Sequence, residues 1–425
     1  MWGRAPARTP HLGHAALVGC MGTGAMLCCV IMMEHADPPA PPSRPTPSRV
    51  ALARCADYAP GNIERAVAEV IDLLGGIGRF VRPGARVLLK PNLIAAHPPE
   101  AAATTHPEVA AAVARIAAGA GGRVEIGDSP GVKTLPVVAD ATGIAAVASR
   151  LGLPLVEFTE PVEAARPKGA RFRKLPLARP AVEADVLINL PKVKTHQQMF
   201  LTLAVKNLFG CVVGRQKIAW HMSAGRDAAL FARVLVEICS AVAPALSIAD
   251  GVVGMEGTGP CHGRPRQFGF IAASADPFAL DAVLTSLLGF EDADVPVLAA
   301  ARAARADGLR VGETDLDKIE LAGCAVGELR PGRVTPPTMG RLMFVPGFLS
   351  GLMRRLATAR PSIDHKTCRV CGVCAESCPA GAMKIIDRRV RIDDTSCIRC
   401  FCCQELCPHG AVGVRRGLLS RLFSR

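Results

Sequence analysis

One short stretch limits what this chain can be more than all the rest. Cys368, Cys371, Cys374 and Cys378, followed by Pro379, read C-x2-C-x2-C-x3-C-P, and the same string returns at Cys397, Cys400, Cys403, Cys407 and Pro408. A single fixed offset carries each residue of the first string onto its counterpart in the second. It also maps Ile363-Asp364 onto Ile392-Asp393 and Gly381-Ala382 onto Gly410-Ala411. A constant offset over cysteines, prolines and flanking residues marks an internal duplication, a stronger signal than either string alone. Nine of the 17 cysteines fall between Cys368 and Cys407, and the other eight are scattered over the preceding residues.

The spacing has a chemical reason. Three thiolates on a tight turn reach three corners of a cubane iron–sulfur cluster, and the fourth corner is capped from elsewhere. Where such strings are duplicated, the fourth cysteine of each ligates the other cluster. Cys368, Cys371, Cys374 and Cys407 are therefore assigned to one 4Fe-4S cluster, and Cys397, Cys400, Cys403 and Cys378 to a second. Proline after the last ligand turns the chain away, because it fixes φ and offers no donor. Cys402 stands outside both strings and is expected to be a small apolar filler. Zinc is the first alternative, but zinc sites pair cysteines as separated C-x2-C knuckles. A disulfide framework is the second, and it needs an oxidising compartment and a small secreted domain. Residues 361–425 resemble the bacterial two-cluster ferredoxin domain over nearly their whole length.

The remaining chain divides by composition. Residues 1–49 read as a leader, either disordered or the product of an over-long start with the initiator at Met32 or Met33. Within it, Ala15 to Met33 is uncharged for nineteen residues, just long enough to span a bilayer, and six prolines follow between Pro38 and Pro47. Residues 50–329 form the large domain. Residues 330–360 read as a proline-punctuated linker whose stretch 341–360 carries an apolar stripe with Arg354 and Arg355, suited to docking a small domain or to lying on a membrane surface. The cytoplasm is the expected location, with membrane association through 15–33 or 341–360 as the second reading.

In the large domain, apolar runs such as Val87-Leu88-Leu89, Val124-Glu125-Ile126 and Val186-Leu187-Ile188 alternate with longer amphipathic ones. Helices are expected over 107–118, 135–151, 201–209, 228–242 and 278–288. Alternation of this kind predicts an α/β fold with a mostly parallel, doubly wound sheet, followed by a small α+β ferredoxin-like domain. Ligands of such sheets bind outside the carboxyl ends of the strands. Polar residues gather there: Lys90 and Asn92 after one strand, Asp128 after the next, Lys192, Lys194 and His196 after a third, then Lys206, Asn207, Asp250 and Glu256. Each alone is as readily a cap, a turn former or a solvated strand end. Together, Lys192, Lys194, His196 and Lys206 would repel one another unless an anion sat among them. Neither G-x-x-x-x-G-K-[ST] nor a G-x-G-x-x-G turn is present, so the phosphate-loop and dinucleotide fingerprints are absent.

The strings LLKPNLI at 88–94, THPEV at 105–109, GDSPG at 127–131, NLPKVKTH at 189–196, AVKNLFG at 204–210 and ADGVVGMEGTGP at 249–260 resemble the domain-of-unknown-function 362 family. The resemblance covers roughly residues 50–290 and implies an iron–sulfur-associated protein without assigning a reaction. The expected function is an iron–sulfur electron-transfer protein or oxidoreductase that exchanges electrons with a partner protein or reductase and binds an anionic small molecule. Lys192, Lys194, His196, Asp128 and Glu256 are the candidates for chemistry, and Lys90, Asn92, Lys206, Asn207 and Asp250 for binding. A non-redox binding or assembly module with structural clusters is the alternative, and a divalent metal among Asp128, Asp250, Glu256 and His196 is a third. The net charge of +13 raises nucleic acid as a partner, but the basic residues are dispersed and rings for base stacking are scarce: fourteen Phe, two Trp and one Tyr. Nucleic acid is not expected.

Overall fold

The computed structural model describes residues 47–131, 133–214, 216–225, 227–337 and 360–415. The apolar stretch 15–33 and the striped segment 341–360, Arg360 excepted, lie outside the described residues. No described helix is long and apolar enough to cross a membrane.

The large domain is a mixed α/β structure around a mostly parallel sheet. Its strands are β1 (Arg49–Arg54), β2 (Arg86–Pro91), β3 (Arg123–Asp128), β4 (Leu155–Glu157), a peripheral hairpin of β5 (Pro161–Glu163) and β6 (Pro176–Ala178), β7 (Val186–Leu190), β8 (Lys192–His196), β9 (Phe200–Thr202), β10 (Leu246–Glu256), β11 (Arg264–Ser274) and β12 (Glu320–Gly323). The order across the sheet is β12-β1-β11-β10-β7-β2-β3-β4, with β8 pairing beside β10 and β9. From β10 through β7, β2 and β3 to β4 every neighbour is parallel, while β11 runs antiparallel to β1 and β10.

Alternate residues of each central strand serve opposite faces, as the two-residue period requires. Ala51 and Ala53 of β1, with Val87 and Leu89 of β2, pack under helices α1 (Pro60–Leu73) and α2 (Pro107–Gly119). Val50, Leu52 and Leu88 face the other way. There they meet the face formed by α6 (Ala204–Asn207), α7 (Gln216–Ala224), α8 (Ala228–Val242), α9 (Pro277–Leu287) and α10 (Pro296–Ala306), which follow α3 (Leu135–Ala141), α4 (Ile144–Leu151) and α5 (Arg179–Glu183) along the chain. Two separate cores on the two faces are what makes the sheet doubly wound. Proline opens α1, α2, α9 and α10 where its missing N–H costs nothing. Asp276 caps α9 by accepting from the N–H groups of Phe278 (2.9 Å) and Ala279 (3.2 Å).

Three local expectations change. The helix expected over 135–151 is two helices, broken where Gly143 takes φ 76°, a left-handed value that glycine adopts without strain. The helix expected over 201–209 is strand β9 followed by α6 and a 3-10 turn over Leu208–Cys211. The polar run after Asn189 is not a loop: Lys192–His196 is itself a strand, paired in parallel with the outer half of β10.

After α11 (Val326–Leu329), the C-terminal region shows its duplication in three dimensions. Strand β13 (Arg360–Ile363), helix α12 (Val373–Glu376) and strand β14 (Met383–Ile386) recur, at the offset of the cysteine strings, as β15 (Arg389–Ile392), α13 (Cys402–Glu405) and β16 (Val412–Arg415). The halves interlock, β13 pairing with β16 and β14 with β15. Equivalent backbone bonds cross between them, Asp364 N–H to Ala411 O and Asp393 N–H to Ala382 O, both 2.8 Å.

Candidate functional site

A cavity of about 510 Å³ opens at the carboxyl ends of β2 and β3. Its polar wall carries Lys90, Asn92 and Asp128 from the strand ends, Lys194 from β8, and Lys206 and Asn207 from α6. Helix α7 adds Lys217 and His221, and α13 of the cysteine repeat closes the far side with Cys402, Glu405 and, beyond it, Leu406. Leu93, Ile94, Phe158, Phe209 and Ile218 give the cavity an apolar side. The repeat sits close: a Cβ on Gly131 would stand 2.8 Å from a Leu406 methyl group. Gln404 also donates to the carbonyl of Thr258 (3.2 Å).

An asparagine chain fixes the polar wall. Asn92 donates to Asn207 (2.7 Å), Asn207 to Asn189 (2.8 Å), and Asn189 to the Ala204 carbonyl (3.0 Å). Helix α6 is held from below by Asp281, whose carboxylate accepts from the N–H groups of Ala204 (2.7 Å) and Val205 (3.2 Å). Burial pushes the Asp281 carboxyl up to about 8, with the two N–H donors opposing. Sequence reasoning gave Asp281 no part in the site, yet it sets the position of Lys206.

The cations on this wall differ in what balances them. Lys90 is fully buried and pairs with Asp128 at 2.9 Å, and Gly210 packs its backbone against that pair. Lys194 donates to Asn92 Oδ1 (2.9 Å) and to the Ala103 carbonyl, and burial lowers its pKa to about 8. Lys217 donates to the Ser129 carbonyl and is lowered to about 8 by the same cause. Lys206, half-buried, makes no ion pair or hydrogen bond among the described residues, and burial lowers its pKa too. Three ammonium groups thus border the cavity without a carboxylate in ion-pair contact.

His196 faces away from the cavity, toward the repeat. Its Nδ1 accepts from the N–H groups of Gln198 and Met199, both 3.1 Å, which leaves the ring proton on Nε2, 2.7 Å from Glu405 Oε1. Burial drops the His196 pKa to about 4, so the ring is neutral near pH 7. Burial opposes charge on Glu405, but the His196 ring and Lys206 outweigh it and hold the carboxyl down to about 2.

Three candidates stand elsewhere. Lys192 pairs with Asp250 at 2.8 Å, both buried, and the Tyr58 hydroxyl bridges them at 2.8 Å to each. Asp250 also accepts from the His106 N–H (2.9 Å), and the His106 ring stacks on Tyr58 at 3.6 Å. Glu256 is buried between Arg264 and Arg266 and accepts from the Thr335 N–H (2.8 Å). The four-cation cluster therefore loses Lys192 to a carboxylate of its own, and the grouping of Asp128, Asp250, Glu256 and His196 around one divalent ion has no counterpart, since each has a different partner. Lys217, His221 and Glu405 went unnoticed in the sequence. The i, i+4 spacing of Lys217 and His221 on one helix face was the available signal.

The cysteines group as the repeat requires. Cys368, Cys371, Cys374 and Cys407 line one small pocket, which mixes three residues of the first string with the last of the second. Cys397, Cys400, Cys403 and Cys378 interact electrostatically with one another in the same crossed pattern. At matching places the Ala382 N–H donates to Cys378 Sγ (3.2 Å) and the Ala411 N–H to Cys407 Sγ (3.3 Å). Hydrogen bonds of this kind are what a cluster-bound sulfur receives. No disulfide joins any two of the described cysteines.

Comparison with known proteins agrees with both halves. The family model described as domain of unknown function (DUF362) matches residues 87–286, and the 4Fe-4S dicluster domain matches 360–408. Over 258 residues the chain is 46% identical to the thylakoid-associated protein sll1697 of Synechocystis, covering 59% of this chain and 78% of that protein. The chain belongs to the DUF362 family. Its C-terminal region makes it an iron–sulfur protein. Among solved structures it is similar to the lactate racemase apoprotein of Thermoanaerobacterium thermosaccharolyticum, with TM-score 0.36, 12% identity and 54% of each chain covered. A Thermotoga maritima protein gives TM-score 0.32 and 11% identity, over 48% of this chain and 52% of the other. The chain spans about half the length of each of these two structures.

Proposed function

We propose that this DUF362 protein is an iron–sulfur electron-transfer protein or oxidoreductase in which two 4Fe-4S clusters serve an anion-binding cavity. The observation that carries the reading is the composition of the cavity wall, with Lys194, Lys206 and Lys217 on one side and the helix between Cys400 and Cys407 on the other. Cys368, Cys371, Cys374 and Cys407 would hold the first cluster, and Cys397, Cys400, Cys403 and Cys378 the second. When bound, such clusters supply one-electron transfer at low potential.

The protein's own groups divide the remaining work. Lys206, which makes no ion pair among the described residues, attracts the negative end of a substrate, and Lys194 and Lys217 flank it. The apolar side formed by Leu93, Phe158 and Ile218 accepts a carbon body and excludes water. Glu405 and the Nε2 proton of His196 tie the cavity to the repeat. Cys371 is exposed while Cys400 and Cys403 are buried, which suits electron entry from a partner at the first set and delivery at the second. Exposed Lys366 and Arg369 beside the first set favour a partner with an acidic surface.

The location we infer is the cytoplasm, with membrane association as the second reading, which the thylakoid-associated relative supports. The test is a thermal-shift screen of small carboxylates and phosphates on anaerobically prepared protein, alongside iron and sulfide counts. About eight of each per chain and an anion-dependent stabilisation lost in Lys206→Ala are expected. An anion response that survives Lys206→Ala would move binding out of this cavity. The non-redox alternative draws on the buried Lys90–Asp128 and Lys192–Asp250 pairs, which are structural; anion affinity that ignores cluster oxidation state would favour it.

A further inference from the structure

Cys402 belongs to neither cysteine string; the matching position in the first half of the repeat is Val373. It is buried and lines the cavity. His221 of α7 completes a group of three: one ligand atom from each of His221, Cys400 and Cys402 lies within 4.8 Å of the others, and all three residues are buried. His221 is only 8% exposed, and its Nδ1 has no hydrogen-bond partner. An unmet buried nitrogen is destabilising, so it calls for an explanation. The imidazole is also fixed in place, stacked on Phe231 at 4.3 Å and met edge-on by Phe209 at 5.7 Å.

Two sulfurs and an imidazole nitrogen are the donor set of a thiophilic divalent ion. Three protein ligands with the fourth position open are the arrangement of a metal that takes an exogenous ligand. Here His221 and Cys402 both border the cavity, so an ion held between them would be open to an anion bound there. The Glu405 carboxylate, on the same helix as Cys402, interacts electrostatically with all three residues and supplies negative charge beside the site.

We propose that His221, Cys402 and Cys400 bind one zinc-like divalent ion on the cavity wall, the Cys400 sulfur being shared between that ion and the second cluster. The proposal rests on the cluster reading only through the second role of Cys400. It gives the anion two attachment points, the metal's open position and the Lys206 ammonium. It also assigns Cys402 a role that an apolar filler would not have.

The test uses the full chain, reconstituted anaerobically with iron and sulfide, washed with chelator and then given zinc. Metals are counted by plasma mass spectrometry, and the zinc environment is read by X-ray absorption. About one zinc per chain is expected beyond the iron, with mixed sulfur and nitrogen neighbours. Cys402→Val, which installs the residue found at the matching place in the first half, and His221→Ala should each lower zinc affinity at least about tenfold while iron and sulfide stay unchanged. Full iron with no zinc in the wild type overturns the proposal, as does zinc retained undiminished in both variants. If Cys402→Val shifts a cluster potential and leaves zinc bound, Cys402 is a hydrogen-bond donor to Cys400 and the site is refuted. Iron well below about eight in the wild type counts against the cluster reading instead, and the zinc count still judges the metal site.

Discussion

Anion affinity in the cavity should fall steeply with pH well below the range where lysines ordinarily lose their charge. Lys194 and Lys217 are both lowered by burial to about 8, and the nearby carboxylates, Glu405 for Lys194 and Asp128 for Lys217, offset that burial only in part. At pH 7 each is about nine-tenths protonated, and at pH 9 about one-tenth. A carboxylate that needs one of these charges should bind about tenfold more weakly at pH 9 than at pH 7, and about a hundredfold more weakly if it needs both. A lysine titrating at its usual value near 10.5 would lose only a few per cent of its charge over that range. The stability of the empty protein moves the other way. The unfolded chain holds these protons more tightly than the folded one, so stability rises with pH between about 8 and the unfolded lysine value near 10.5. Calorimetric titration with oxalate, whose charge is constant across this range, measures the first effect, and denaturant unfolding measures the second. Affinity that stays level to about pH 9 would refute the dominance of burial over the neighbouring carboxylates in setting these charges.

Other perturbations separate scaffold from site. Lys192→Met leaves the Asp250 carboxylate buried without its cation and should cost about 3–5 kcal/mol in urea unfolding, while oxalate affinity of the folded fraction stays within about twofold. Asp281→Ala removes the acceptor for the Ala204 and Val205 N–H groups and should cost about 2 kcal/mol; calorimetric titration should also show weaker oxalate binding, because Lys206 loses its support. Cys371→Ser should halve the iron content and leave the second cluster's spectrum in place, whereas retention of all iron would refute the ligand sets. Arg388 turns the β14–β15 hairpin at φ 56°, so Arg388→Gly should stabilise the protein by about 1 kcal/mol with iron unchanged, as read by thermal unfolding and an iron assay.

The cysteine sets were legible because ligand spacing is a property of the local chain, and duplication exposes it twice. The sheet was legible for the same kind of reason, since Val87–Leu89 and Val186–Ile188 bury both faces and read as apolar runs. Of the residues singled out by strand-end placement, Lys90, Asn92, Asp128, Lys194, Lys206 and Asn207 lie together in one cavity. Lys192, Asp250 and Glu256 lie apart because β8 and the outer half of β10 carry them to partners supplied by other elements, Tyr58, His106 and Arg266, and His196 turns to Glu405. No local pattern announces such pairings. Strand β1 was missed since Val50–Ala53 lies at the edge of a proline-rich leader, and its partners, β11 and β12, come from the opposite end of the domain's sequence. Glu405 is hidden more deeply. Its counterpart Glu376 is exposed, and only the docking of α13 against His196 tells the two apart.

The most direct test of the account is electron paramagnetic resonance of the fully reduced full-length protein, with and without saturating oxalate. About two reduced-cluster spins per chain are expected, with oxalate altering the signal of the second cluster, which Cys371→Ser retains, and sparing the other. A single spin, or two spins that both ignore an anion shown to bind, would contradict a cluster placed against this cavity.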